Sequence, residues 1–399
     1  MEWAKAPRIT QPFDELVVSF LDELSKRLRK ERAVRDREDV QAFAFWCRGA
    51  NLRYLKECYE QRIKKGSGDE VTLRLGRGLV FHIAPANIPM MAAYTMAAGL
   101  LAGNSNLVRI SQRSYEQSRD FLQLLEDLLK ESRNQEICDM VRFVLYDSKE
   151  EDKTAWFSSV CDVRVIWGGD DTVQKVRTFP LKPSAGELTF PHRYSISFFR
   201  EESVAQLSDN DISILAHQFC MDTYSMQQNA CSSPSMIFWQ EGKDKEGGKK
   251  ARKKFWKAVA KEAEGYSLQA IHLIQKYTDL CRMAASCPSV RHVHSFGNEL
   301  YVIEVKRDYT STEEMLQLQG RFGMFFEVTV KSEKELLQYL VPQVQTLTCQ
   351  NEDVEMLRRF IWNNRVRGVD RVVPFGQALS MELIWDGMNL IERMSREIC

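Results

Sequence analysis

The stretch from Gly78 to Ser111, GLVFHIAPANIPMMAAYTMAAGLLAGNSNLVRIS, decides the fold class. Its β-branched and aromatic run (Leu79, Val80, Phe81, Ile83) stops at PANIP, where Pro85 and Pro89 bracket Asn87. That predicts a buried strand meeting a rigid turn. Met90 to Leu101 is Ala-rich and uncharged, the pattern of a helix buried on most of its surface; Gly99 allows close packing and Gly103-Asn104 forms the C-cap. Asn106 to Ser111 opens a second strand. The polar residues of this strand, turn, helix, strand unit sit at the strand ends, where α/β folds bind ligands.

Working outward, residues 12 to 64 place Phe13, Leu16, Val17, Phe20, Leu21 and later apolar residues at helical spacing, predicting two or three amphipathic helices. GSGDE at 66–70 is a turn, and Val71 to Leu75 a short strand. Downstream, helix 114–132, strand Met140–Tyr146, helix 150–159 and strand Val163–Trp167 alternate, which predicts a doubly wound parallel sheet. Residues 186–199 read as one strand, Ser208–Met221 as a helix, Met236–Trp239 as a strand and Glu241–Lys254 as a flexible basic loop. Helices near 252–262 and 267–285 then give way to strands 300–305, 325–330 and 345–348, interleaved with helices 332–340 and 352–362. The final segment ends in an amphipathic helix. Two domains are expected: 1–210 completed by 376–399, and 211–375.

Composition sets outer limits. With 399 residues and 44% hydrophobic content, the chain exceeds what one core usually holds. Lys+Arg and Asp+Glu balance at 55 each, which removes any bulk electrostatic argument for nucleic acid or an anionic membrane. Signal-type and membrane-spanning apolar runs are missing, so the expectation is a soluble cytoplasmic protein. Ten cysteines without CxxC spacing fit reduced thiols rather than a disulfide framework or zinc ribbon. His292 and His294 share a strand face, yet no nearby Cys or acid completes a metal ligand set.

Two short motifs carry chemistry. Trp167-Gly168-Gly169-Asp170-Asp171 closes a strand and opens a helix; it suits a cofactor pyrophosphate at a helix N-terminus, though spacing alone favours an ordinary cap by Asp170 or Asp171. No GxGxxG follows the first strand, so the usual dinucleotide fingerprint is absent. Cys231, in QQNACSSPS, sits on a polar loop between helix and strand. A thiol there reads as a nucleophile or as a packing residue.

These motifs, with KPSAGELTFPHRYS, RFGMF and VDRVVPFGQALSMELIWDG in the same order, resemble the aldehyde dehydrogenase superfamily and, within it, the LuxC-type acyl-CoA reductases. The resemblance runs from about residue 75 onward. It implies an aldehyde-dehydrogenase-like fold: a doubly wound cofactor domain plus a second α/β catalytic domain. It makes Cys231 the nucleophile and Asn87 the side-chain donor to the substrate oxyanion, roles that thioester chemistry supports. Glu187 lies where the superfamily often carries its acid/base carboxylate, with Leu188-Thr189-Phe190 replacing the usual glycines. The cofactor side falls on Ile83, Pro85, Arg109, Ser111, Gly168, Gly169 and Phe322. Arg109 replaces the usual ribose-facing lysine and Gln112 the acid three residues on; a guanidinium without that carboxylate favours a 2′-phosphate, hence NADPH. Gly320-Arg321-Phe322-Gly323 lacks the glutamate that usually meets the nicotinamide ribose. The implied reaction reduces an acyl thioester to an aldehyde, with coenzyme A, an acyl carrier or an acyl-protein synthetase as acyl donor and a homo-oligomer as one assembly state. A non-redox acyl carrier or acyltransferase using the same thiol is the rival reading, and a scaffold without chemistry a third.

Overall fold

The structure is a computed structural model that describes residues 6–67, 73–85, 88, 90–266, 268–306 and 318–398. The chain forms two compact units, Met1–His192 with Met381–Cys399, and Arg193–Ser380.

The first unit opens with helices Glu15–Leu28, Glu38–Trp46 and Gly49–Ser67, which include Gly66 and Ser67 of the expected turn; the rest of that turn lies outside the described residues. Asp14 caps the first helix by accepting the Leu16 N–H, and Val17, Phe20, Leu21, Leu24 and Leu28 form its buried stripe. Strand β1 (Leu73–Gly76) pairs antiparallel with Ser395–Ile398, so the closing residues return here as a short helix Leu390–Met394 and a strand rather than one long helix. Strands β2 (Leu79–Ile83), β3 (Ser105–Ile110), β4 (Val141–Leu145), β5 (Val163–Trp167) and β6 (Gly186–Phe190) form an all-parallel sheet in the order β4-β3-β2-β5-β6. The direction of winding reverses between β2 and β5, and in such sheets the ligand crevice opens there, beyond the carboxyl ends of the strands.

Helix Met91–Leu101 is buried along its whole length. A Cβ on Gly99 would lie 1.8 Å from Asn106 Oδ1 and 3.1 Å from His82 Nε2, so only glycine admits the polar chain beneath it. In that chain Trp167 Nε1–H donates to Thr95 Oγ1 (3.0 Å), Thr95 meets His82 Nδ1 (2.7 Å), and His82 Nε2 meets Asn106 Oδ1 (2.9 Å). Burial pushes His82 down to about 4, against the Asn106 contact, which favours the charged form. The folded value lies below the ordinary 6.5, so stability is complete above pH 6.5 and falls as pH drops toward 4. Between those limits His82 is expected to cost folding roughly 3 kcal/mol. Urea unfolding at several pH values on wild type and His82→Gln checks this: the variant is expected to be weaker at pH 7 yet flatter with pH, and equal slopes would remove His82 from the account.

The second unit is one seven-stranded sheet in the order β13-β12-β7-β8-β11-β10-β9, built from β7 (Tyr194–Arg200), β8 (Pro234–Gln240), β9 (Val290–Phe296), β10 (Leu300–Val305), β11 (Met324–Val330), β12 (Val344–Cys349) and β13 (Arg371–Pro374). Only β9 runs antiparallel to its neighbour; the other pairs are parallel.

Several expectations are corrected. Residues 186–199 are two strands in two sheets: Pro191 has no N–H to extend a ladder, β6 pairs with β5, and β7 pairs with β8 and β12. The boundary therefore falls before β7, ahead of the expected residue 210, and the chain returns at 381 rather than 376. Helix 114–132 breaks at Ser118 into Gln112–Gln117 and Arg119–Leu129. The basic segment read as a loop is helical from Lys245 to Ala263; Asp244 caps it through the Gly247 N–H (3.0 Å), and Gly248 makes room for the Glu201 carboxylate, 2.2 Å from where a Cβ would lie. Among the described residues no helix is long and apolar enough to cross a membrane, and no cluster of three or more His, Cys, Asp or Glu side chains offers a metal site.

Candidate functional site

In the first unit, the crevice beyond β2 and β5 is bordered by residues singled out in the sequence. Ile83 closes β2 and Pro85 follows it; the Pro85 carbonyl accepts from Ser114 Oγ (3.4 Å), and Ser111 Oγ caps helix Gln112–Gln117 through the Ser114 N–H (3.1 Å). Gly168 and Gly169 follow β5. Trp167, just before them, is held by its Thr95 bond and by stacking on Phe190 at 3.8 Å. A Cβ on Gly169 would meet nothing within 4 Å. The helix after it has no side-chain cap, and Asp170 Oδ1 instead accepts the His192 N–H (3.2 Å), so neither Asp170 nor Asp171 provides the cap considered from sequence. Arg109, near the end of β3, lies over the Tyr146 ring at 5.3 Å and donates one N–H to the Tyr146 carbonyl (3.1 Å), with no other hydrogen-bond partner for its guanidinium fork among the described residues. Asn87, with Ala86 and Pro89, lies outside the described residues.

Glu187 has a different occupation. It sits on β6, where Arg164 Nε reaches Oε2 at 2.9 Å and Arg177 Nε reaches Oε1 at 2.8 Å. Partial burial pushes its carboxyl up, but the two guanidinium groups outweigh that and hold it below the usual carboxylate range. A carboxylate clamped in this way is a weak base, which argues against the acid/base reading.

In the second unit, Cys231 lies on the turn between helix Asp209–Thr223 and β8, partly exposed. Ser195 Oγ on β7 donates to the Cys231 carbonyl (2.7 Å) and accepts the Thr346 N–H (3.2 Å), tying the loop to two strands. Gln228 fixes the other side. Its Oε1 accepts the N–H of Gly323 (2.7 Å) and Met324 (3.2 Å), and its Nε2 donates to the carbonyls of Pro234 and Met324, both at 3.3 Å. Gln227, Gln228 and Phe322 have φ of 52°, 56° and 58°, a left-handed conformation costly for non-glycine residues and retained here because this buried network over-determines it. Phe322 is turned inward, 4% exposed, with its ring stacked on His272 at 4.5 Å. Elsewhere burial pushes up the thiols of Cys47 and Cys220, and those of Cys161 and Cys349 to about 12. Ser195 and Gln228 were not picked out from sequence; a serine in a strand and one glutamine of a pair carry no signal until the loops are placed.

Residues 62–397 match the family described as Acyl-CoA reductase (LuxC). The chain belongs to the LuxC acyl-CoA reductase family. Compared with curated proteins, the sequence matches none. Among solved structures, this LuxC-family chain is similar to Thermus thermophilus 1-pyrroline-5-carboxylate dehydrogenase (14% identity, TM-score 0.64, covering 96% of this chain and 80% of that one). It is similar also to Staphylococcus aureus AldH (12%, 0.62, 97% and 89%) and to Bradyrhizobium japonicum proline utilization A, PutA (14%, 0.63, 100% and 43%). The chain spans less than half the length of PutA. At these identities the structural matches show the fold, which is aldehyde-dehydrogenase-like. The family is described as acyl-CoA reductases, and its member here has a fold shared with aldehyde dehydrogenases.

Proposed function

We propose that this LuxC-family chain reduces an acyl thioester such as acyl-CoA to an aldehyde through an acyl group carried on Cys231, with NADPH as reductant. The observation that supports it is the setting of Cys231: a partly exposed thiol on a loop fastened by backbone and side-chain hydrogen bonds, whereas the thiols of Cys47, Cys161, Cys220 and Cys349 are buried. The Cys231 thiolate attacks the thioester carbonyl, forming a new C–S bond and releasing the donor thiolate. Backbone N–H groups of the fixed loop, with the Asn87 amide, are the proposed donors to the oxyanion. Bound NADPH supplies the hydride that reduces the acyl carbon. Collapse of the resulting hemithioacetal breaks the C–S bond, returns the Cys231 thiolate and liberates the aldehyde.

The residues around the β2–β5 crevice fit such a cofactor: Gly169 faces open space, Ile83 closes β2 with Pro85 just beyond it, and Arg109 keeps donors with no hydrogen-bond partner among the described residues, while Gln112 stands where a carboxylate is usual and itself donates to Glu116 (2.9 Å). Arg109→Ala is accordingly expected to weaken NADPH about ten- to a hundredfold while barely changing NADH, since one charge-assisted contact contributes about 1.5–3 kcal/mol. Fluorescence titration with both cofactors reads the difference, and equal losses would remove the basis for NADPH preference.

One observation favours the rival acyl carrier or acyltransferase reading: Phe322 is stacked inward on His272, and its loop offers no glutamate to a nicotinamide ribose. Mass spectrometry after incubation with acyl-CoA, followed by an NADPH chase, separates the two. Acyl mass on Cys231 that the chase converts to free aldehyde supports the reductase; an adduct that survives the chase supports the carrier.

A further inference from the structure

One concavity of the second unit lies apart from both elements of that reaction in the chain. It is a groove of about 720 Å³ between helix Lys245–Ala263 and the carboxyl ends of β8, β10 and β11, within the roughly 300–1,000 Å³ of small-molecule sites. The three strands run parallel, the arrangement that takes ligands beyond the strand ends. Cys231 precedes β8, whereas Glu241, a groove residue, follows it. A strand of this length separates them by roughly 20 Å.

Seven lysine or arginine side chains line the groove against four glutamates, three of which are hydrogen-bonded or ion-paired. Glu201 accepts from Arg252 Nε (2.6 Å) and the Gly242 N–H (2.8 Å), and Glu241 pairs with Lys245 at 3.2 Å. Glu304 meets His294 at 3.6 Å. Glu327 accepts from Trp256 Nε1 (2.9 Å), and burial pushes its carboxyl up toward the neutral form. Lys253, Arg291 and Lys331 are different: all are exposed, and their side chains form no ion pair among the described residues, although the Glu335 carboxylate accepts the Lys331 backbone N–H (2.8 Å). Three exposed cations around one concavity, without side-chain ion pairs among the described residues, favour an anion that joins them, and an arginine among them suits a phosphate's geometry. The half-buried Phe296 lies on the same lining at its far end, opposite Leu300 and roughly 17 Å along β9 from Arg291, and is an aromatic residue against which a planar base can stack.

We propose that this groove binds a nucleoside polyphosphate, with its phosphates on Lys253, Arg291 and Lys331 and its base against Phe296, at a site separate from the cofactor crevice. The test is calorimetric titration of the full chain with ATP as probe, on wild type, on Lys253→Glu/Arg291→Glu/Lys331→Glu, and on Arg109→Ala. Wild type and Arg109→Ala are expected to bind ATP alike, and the triple variant at least tenfold more weakly. A steep loss of affinity with added salt is also expected. Unchanged ATP affinity in the triple variant, or a loss confined to Arg109→Ala, would overturn the proposal. Inorganic pyrophosphate and Phe296→Ala divide the ligand: pyrophosphate as tight as ATP, with no effect of Phe296→Ala, would overturn the nucleoside assignment. Should the triple variant melt early, Arg291→Ala on the edge strand β9 reads the same contact, with a several-fold loss expected.

Discussion

Replacing Cys231 by alanine is expected to reduce both acyl labelling and aldehyde release to background, a loss of at least about a thousandfold, while NADPH affinity stays within twofold of wild type. The alanine removes the only group able to carry the acyl chain in this scheme. The loop around it is held by the Cys231 carbonyl, by Gln228 and by Ser195, groups the substitution leaves in place. General alkylation is a poor assay because Cys58 and Cys281 are exposed and will also react. Transfer from an acyl thioester is the selective readout. Acyl mass retained on the Cys231→Ala protein would show that another thiol is the carrier, and lost labelling accompanied by lost NADPH binding would point to misfolding instead.

Gln228→Ala should give the second largest effect. The amide joins the Cys231 loop to the Gly323–Met324 turn through three hydrogen bonds and to the Pro234 carbonyl through a fourth, and both ends are buried. Alanine leaves two backbone N–H groups and two carbonyls without that partner, each unsatisfied group costing about 1–3 kcal/mol before water enters, so a net loss of roughly 3–5 kcal/mol is reasonable. Acylation should slow as well, because the left-handed turn at Gln227 and Gln228 loses the contacts that maintain it. Two measurements separate the effects: denaturant unfolding gives the stability loss, and single-turnover acylation at low temperature gives the rate in the folded fraction. A stable variant that acylates at the wild-type rate would show that the amide neither braces the loop nor positions the thiol.

Much of the architecture was legible because hydrophobic periodicity and strand-to-helix punctuation are local. The β2, helix, β3 unit could be placed from that pattern, whereas Pro85, Arg109, Ser111 and Gly168 were assigned to a cofactor by the family resemblance. What escaped was set by long-range pairing. Nothing between Gly186 and Phe199 announces that β6 and β7 join different sheets, since both are apolar and only Pro191 interrupts them. The basic run at 241–254 looked solvated because its glycines and lysines conceal a stripe of Ala251, Phe255, Trp256 and Val259 that becomes a core face only beneath the second sheet. Glu187 was placed correctly in the chain, but Arg164 and Arg177, which determine its chemistry, lie at separations no motif records.

The discontinuity of the first unit bears on how the molecule is made. Strand β1 is completed by Ser395–Ile398, Asn104 Nδ2 donates to the Met394 carbonyl at 2.9 Å, and the Tyr94 hydroxyl donates to the Glu382 carbonyl. On the ribosome, residues 1–192 emerge first but must wait for a segment synthesised almost 200 residues later, about 10–40 s at ordinary elongation rates. The later-born second unit is continuous and can fold before the earlier one is finished. Through that interval the charge-free helix Met91–Leu101 has no closing segment over it, which makes the nascent first unit the natural client for a chaperone and the vulnerable half of the chain during synthesis.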